Sequence, residues 1–341
     1  MKRLLIVGFD GLDSLLLKRF IDDLPTFKKF FDDGAISHIQ AVHPALTPVC
    51  WTSLYTGSTP ARHGITGWHF GRVAKDAMFT LDDSKVSTIW DIMTKAGLSV
   101  GAVHMPMTYP ATAVKGYMVS GVPTPWTNPK GTRITPKKAY YTKNAQRIYH
   151  RMVYPQGIRD MATEYPVDLS DLLIESADYE KNEPERILET IISRRLDLVE
   201  SLERDIQTDV LAVGFMMIDR LYHFVLQPAP PKKETEAVLH RWYVRADQML
   251  ATLMERYPAE NTVIMSDHGG GWKRKKNGKP AVWHTKHATF GGIGKDFAGG
   301  WQHRKRWLMC VAPTILKVLG VDCELWKRMS GKVATEMLRK G

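Results

Sequence analysis

Only three cysteines, Cys50, Cys310 and Cys323, occur among the 341 residues, and no two of them form a Cys-x-x-Cys pair. An odd and scattered set argues against a disulfide framework and fits a reducing cytoplasm. Long hydrophobic runs are missing as well. Met1-Lys2-Arg3 is followed by the short apolar stretch Leu4 to Phe9 and then by Asp10. That stretch is too short for a signal-peptide core and far too short for a membrane span. No other segment reaches spanning length without charge, so the expectation is a soluble cytoplasmic protein with no membrane partner. Internal repeats and low-complexity tracts are absent too. The one dense charge run, Lys273-Arg274-Lys275-Lys276, leads into Asn277-Gly278 and reads as a solvated loop.

What is present suits an ordinary globular chain. Hydrophobic residues make up 44% and charged residues 24%, enough to bury a sizeable core. A formal net charge of +11 serves either solubility or the steering of an anionic substrate such as a phosphodiester or nucleotide. Charge alone does not choose between them.

Leu4 to Phe9 has the length and content of a buried parallel strand. A helix is expected to follow to about Phe31, then strand residues near Ile36 to Val42. A second helix opens near Pro48 and stops at Gly57; Val86 to Ala96 has helical spacing, and Leu98 to His104 reads as a strand. From about 109 to 179 the periodicity is poor, as in an inserted cap that would set substrate specificity. Alternation then returns: helix 184–204, strand 210–218, helix 233–256, strand 261–265, and closing helices at 312–319 and 333–339. The pattern predicts one α/β domain over 1–341, with a mostly parallel central sheet and helices on both faces.

Three predicted strands run into acids, Asp10, Asp219 and Asp267, at the end of the sheet where open α/β folds bind ligands. A single such Asp is more often a helix cap. Three of them, two with histidines beside them, point to metal. Asp219 and His223 are four apart, so one helical turn places both on one face; Asp267 and His268 are adjacent. Carboxylate with neutral imidazole suits zinc, manganese or iron better than calcium. A nucleophile belongs beside such ions, and Thr47-Pro48-Val49-Cys50-Trp51-Thr52-Ser53 supplies a candidate. Thr47 before Pro48 has the pattern of an N-cap with proline at the first helical position. The same helix entrance would favour an alkoxide and a bound phosphate, with the Val49 and Cys50 amides as donors.

The chain resembles the alkaline phosphatase superfamily in its type I phosphodiesterase/nucleotide pyrophosphatase branch. The pieces that carry this are Val7-Gly8-Phe9-Asp10-Gly11, Thr47 to Gly57, Pro60-Ala61-Arg62-His63-Gly64-Ile65, Asp219-Arg220-Leu221-Tyr222-His223, Ser266-Asp267-His268-Gly269 and Ala312-Pro313-Thr314-Ile315-Leu316. The resemblance implies an alkaline phosphatase-like fold and two divalent ions, zinc first, with manganese or iron as alternatives. One ion would be held by Asp10, Thr47, Asp267 and His268, the other by Asp219, His223 and a third histidine. His284, His287 and His303 qualify by order. His287 is favoured, since His287-Ala288-Thr289-Phe290-Gly291-Gly292-Ile293 matches the family's segment and Arg304 and Lys305 crowd His303; His284 is read as a surface position. Thr47 would be the catalytic nucleophile, forming a phospho-threonine intermediate on a small anionic phosphoester or nucleotide. Cys50 and Trp51 are candidate substrate contacts. The alternatives are a phosphomonoesterase, phosphomutase or phosphonate hydrolase on the same scaffold, or a noncatalytic nucleotide-binding relative that has no need of the nucleophile. Nucleic-acid binding stays open on charge alone, without a motif.

Overall fold

The computed structural model describes residues 1–68, 79–122, 184–226, 232–274, 278 and 280–340. Its elements in chain order are β1 (Lys2–Phe9), α1 (Ser14–Arg19), α2 (Pro25–Asp32), β2 (Ala35–Gln40), α3 (Thr47–Thr56), α4 (Pro60–His63), α5 (Ile89–Lys95), β3 (Val100–Met105) and β4 (Gly116–Ser120). They continue with α6 (Pro184–Asp205), β5 (Val210–Phe215), α7 (Met217–Arg220), α8 (Lys232–Arg256), β6 (Ala259–Met265), β7 (Gly269–Arg274), β8 (Pro280–Thr285), β9 (His287–Gly294), β10 (Gly300–Trp307) and α9 (Val311–Val318).

Eight strands form one sheet in the order β10-β2-β9-β6-β1-β5-β3-β4, while β7 and β8 pair apart from it. β1 is central, parallel to both β5 and β6; only β9 runs against its neighbours β2 and β6. The mostly parallel α/β sheet is thus as expected. β1 alternates across it. Leu5, Val7 and Phe9 join a core with α1, α2, α6 and α8, while Leu4 and Ile6 join a second core with α3, α5 and α9. A strand buried on both faces has no polar side to show, which explains its continuous apolar run.

Several expectations need correction. The helix expected from β1 to about Phe31 is broken: α1 ends at Arg19 and α2 restarts with Pro25 in its first turn, where the missing N–H costs nothing. The expected irregular stretch at 109–179 begins with an ordered edge strand, β4, parallel to β3; its remainder from 123 lies outside the described residues. The expected helix at 333–339 is only the single 3-10 turn Thr335–Met337, because Leu338 bridges to Phe297. Strands β7 to β10 had not been anticipated. Among the described residues, no helix is long and apolar enough to cross a membrane.

Candidate metal centre

Period-two alternation sends Ile6, Gly8 and Asp10 to the α3 face of the sheet. Asp10 follows the last residue of β1, is fully buried, and donates its backbone N–H to Phe215 O at 2.8 Å. Asp267 stands two residues beyond β6 and its carboxylate accepts the Gly11 N–H at 3.3 Å. Asp219 is not at a strand end. It sits in the one-turn helix α7, four residues past β5, and reaches Asp10 by donating its backbone N–H to Asp10 O at 3.2 Å. Gly11 makes that approach feasible, since a Cβ there would lie 2.8 Å from Asp219 N and its φ is +78°. Three carboxylates from three elements therefore meet at one end of the sheet.

The histidines join them. His268 Nε2 lies 3.1 Å from Asp267 Oδ2 and 3.7 Å from Asp10 Oδ1. His223 Nε2 is 3.5 Å from Asp219 Oδ1, brought round by the wide helical turn Leu221–Val225 that follows α7. The third ring near Asp219 is that of His284, with Nε2 3.3 Å from Asp219 Oδ1 and 3.1 Å from His223 Nε2. It is carried by β8, whose register with β7 sets His284 opposite Gly270. His287 opens β9 instead, and its ring packs against His38 at 5.1 Å. His303 belongs to the edge strand β10 by backbone, and its side chain lies outside the described residues. The structure brings together Asp10, Asp219, His223, Asp267 and His268, and adds His284 where His287 was expected. A hairpin signal was available: Asn277-Gly278 is a favoured tight-turn pair, and Asn277 is midway in sequence between Gly270 and His284.

The donor chemistry fits divalent cations. Donor atoms of Asp10, Asp267 and His268, and likewise of Asp219, His268 and His284, lie within 4.8 Å of one another. Among the described residues, Asp10 Oδ1, Asp267 Oδ2 and His268 Nε2 are buried without a hydrogen-bond partner, an arrangement that costs free energy unless a cation uses those lone pairs. His268 Nδ1 faces Gly269 O at 3.2 Å and His284 Nδ1 faces Ala45 O at 2.8 Å. A carbonyl can only accept, so both rings carry their proton on Nδ1 and leave Nε2 toward the acids. Burial pushes the Asp10 carboxyl up to about 8, aided by the Asp219 charge and opposed by Trp51. Asp267 is pushed well above the usual carboxylate range by burial and then by Asp10 and Asp219. Burial holds His268 neutral, down at about 3. Burial opposes charge on His284 too, yet Asp219 outweighs it and raises that pKa.

Thr47 opens α3 and is almost wholly buried. The N-cap of that helix is Leu46, with Thr47 at the first helical position, and no side chain caps it. The expected capping role is therefore absent, and the hydroxyl is not spent on the backbone. The Val49 and Cys50 amides, expected as phosphate donors, both donate to Leu46 O, at 3.0 and 2.9 Å. Cys50 is fully buried, with Sγ 3.9 Å from Pro44 O. Trp51 is fully buried and donates its indole N–H to Asp10 Oδ2 at 2.8 Å; neither side chain offers a face to substrate. Ser53 and His63 hold each other at 3.0 Å while Ile65 N–H donates to His63 Nδ1 at 3.2 Å, a structural role.

Comparison with known proteins follows the same lines. The chain matches the family model described as type I phosphodiesterase/nucleotide pyrophosphatase over residues 4–288. Similar solved structures include murine ectonucleotide pyrophosphatase/phosphodiesterase 5, as an inactive variant in complex with AMP, at 12% identity and a TM-score of 0.58, covering 99% of this chain and 100% of that one. Wild-type alkaline phosphatase PafA is similar at 13% identity and a TM-score of 0.60, covering 99% and 100%. A phosphonate monoester hydrolase from Silicibacter pomeroyi is similar at 13% identity and a TM-score of 0.51, covering 98% and 76%. At such identities the likeness is one of fold. A comparison with curated protein sequences gave no match.

Proposed function

Since the chain belongs to the type I phosphodiesterase/nucleotide pyrophosphatase family, matched over residues 4–288, we propose that it hydrolyses phosphoric diesters of the nucleotide type, with Thr47 as nucleophile and two divalent ions, zinc first and manganese or iron as alternatives. The observation that supports this best is the convergence of Asp10, Asp267 and His268 with Asp219, His223 and His284, in which Asp10 Oδ1, Asp219 Oδ1, Asp267 Oδ2 and His268 Nε2 are buried without a hydrogen-bond partner among the described residues. Asp10, Asp267 and His268 would hold one ion together with Thr47; Asp219, His223 and His284 would hold the other. His284 replaces His287 in this assignment. Bound there, the ions would supply positive charge that neutralises phosphoryl oxygens and lowers the pKa of a hydroxyl in contact.

The chain's own residues do the rest. The ten-residue helix α3 presents Thr47 at its N-terminus, where the dipole favours the developing alkoxide and the phosphate anion. Thr47 Oγ1 attacks phosphorus in line and gives up its proton, the P–O bond to the leaving group breaks, and the departing oxygen takes up one proton to leave as an alcohol, so that no net proton is consumed. Water then cleaves the Thr47 phosphoester and returns the hydroxyl. Burial of Thr47 and the acids keeps bulk water from competing for those positions.

Purified protein with added zinc or manganese should hydrolyse bis-p-nitrophenyl phosphate and a dinucleotide faster than p-nitrophenyl phosphate or a phosphonate monoester. The last two arms carry the rival chemistries, the phosphatase and phosphonate hydrolase activities for which two of the similar structures are named. A reversed order would replace the diesterase reading with one of them.

A further inference from the structure

Ile6, Gly8 and Asp10 share the face of β1 that α3 covers. At Gly8 the absent side chain leaves room for a large ring: a Cβ there would lie 2.8 Å from Trp51 Cη2 and 3.0 Å from Met105 Cε. Trp51 fills that room, fully buried. Its ring is backed by Tyr55 at 5.6 Å, and Tyr55 is backed by Trp90 at 5.1 Å. Held so, its indole N–H points along the strand and donates to Asp10 Oδ2 at 2.8 Å. The other oxygen, Asp10 Oδ1, has no hydrogen-bond partner among the described residues and lies 3.7 Å from His268 Nε2. Trp51 also lies one helical turn after Thr47, so both residues share a face of α3.

We propose that Trp51 is a positioning residue of the metal centre: by holding Asp10 Oδ2, it leaves Oδ1 as the single ligating oxygen and ties that ligand to the helix that carries Thr47. The proposal rests on the two-ion reading above. A carboxylate on a short side chain rotates freely about its last torsion, whose wells are broad. An unrestrained Asp10 would swing between one-oxygen and two-oxygen ligation and shift the ion relative to Thr47 each time. A hydrogen bond to an ionised acceptor is about twice as strong as a neutral one, and here it is made by a ring wedged in the core. The lengths of strand and helix are thereby locked to each other at the reacting end. Partners of metal ligands of this kind typically change metal affinity or activity by about 10- to 100-fold when removed.

The test compares wild type with Trp51→Phe, which keeps an aromatic ring over Gly8 and deletes the N–H, and with Asp10→Ala and the double variant. Zinc is titrated into chelator-stripped protein by calorimetry, kcat and KM are measured on bis-p-nitrophenyl phosphate, and melting is followed without metal. In Trp51→Phe one ion should weaken by about 10- to 100-fold with the other unchanged, kcat should fall with KM preserved, and the metal-free melting temperature should stay near that of wild type. In the Asp10→Ala background the same change should have no further effect on zinc. Unchanged zinc affinity and kcat in Trp51→Phe would overturn the proposal. So would a collapse of metal-free melting, which would make Trp51 a packing residue. If wild type itself does not bind two ions, the two-ion reading fails and the proposal with it; if wild type binds two and Trp51→Phe binds both with wild-type affinity, the proposal alone fails.

Discussion

The rings of His268 and His284 stack at 4.0 Å with their planes 10° apart. They come from the two sides of the β7–β8 pair at its end nearest the sheet, where the chain departs just after Asp267-His268 and returns as His284. The stack and the contact with Asp219 place His284 in the centre, while His287 turns to His38. Metal titration should therefore show the loss of one equivalent in His284→Ala and full occupancy in His287→Ala. The reverse pattern would restore His287 as the ligand.

Thr47→Ala removes the attacking oxygen and a single ligand atom. Turnover should fall by at least about 1,000-fold, given what nucleophile removal costs in comparable enzymes, while metal content and melting stay close to wild type. Retention of more than a tenth of the activity would exclude Thr47 as nucleophile.

The two ion positions differ in exposure. Asp10, Asp267 and His268 are fully buried, whereas the side chains of Asp219, His284 and His223 are 9%, 14% and 38% exposed. A chelator should strip the ion at Asp219, His223 and His284 first, giving two kinetic phases of metal release. Refilling both sites should raise the melting temperature, since a ligand at 1,000 times its Kd stabilises the folded state by about 4 kcal/mol. Release in one phase would mean that the two positions empty together.

Asp247 of α8 caps α2 from outside the helix, its carboxylate accepting the Thr26 and Phe27 N–H groups at 3.1 and 2.7 Å. Leu24, at the N-cap, has no side chain able to do so. Asp247→Ala should cost about 1–2 kcal/mol, as other lost caps do, with zinc affinity unchanged in calorimetry. A loss below about 0.5 kcal/mol would show that water replaces the cap.

His63 is held at about 4 by burial, against 6.5 for the free ring. Above pH 6.5 both states are neutral there. As pH falls the unfolded chain takes up the proton first, so stability drops between 6.5 and 4 by roughly 3 kcal/mol at most. His63→Gln keeps polar groups near Ser53 and Ile65 without that titration. Denaturant unfolding should show a flatter pH dependence for the variant over this window; equal slopes would remove His63 from the account.

Asp10 and Asp267 were legible because an apolar strand buried on both faces must end where the chain meets polar groups. Asp219 was legible by residue type but misplaced, since the chain turns into α7 before the acid and only the close passage of Gly11 brings it back. β9 escaped notice because Gly291, Gly292 and Gly294 look like interruptions. In space, Ile264 and Phe297 fill the volume their side chains would need: a Cβ on Gly292 would lie 2.3 Å from Phe297. No periodicity within the strand itself encodes these two partners, one on the neighbouring strand β6 and one beyond the end of β9. His284 was missed for a different reason: the basic run before Asn277-Gly278 looked like loop, although a hairpin register would have set His284 beside His268.

That register has an arithmetic consequence. Along a strand, neighbouring side chains face opposite ways, so a slip of one residue exchanges the two faces. Gly270 faces His284 in the present pairing, with Trp283 and Thr285 on either side. Adding or deleting one residue between Arg274 and Pro280 would tend to present Trp283 or Thr285 to Asp219, erasing a ligand without mutating it. Changes of two residues keep the parity and leave an imidazole facing inward. The spacing of this arm, as much as its chemistry, is therefore under constraint wherever the second ion is needed.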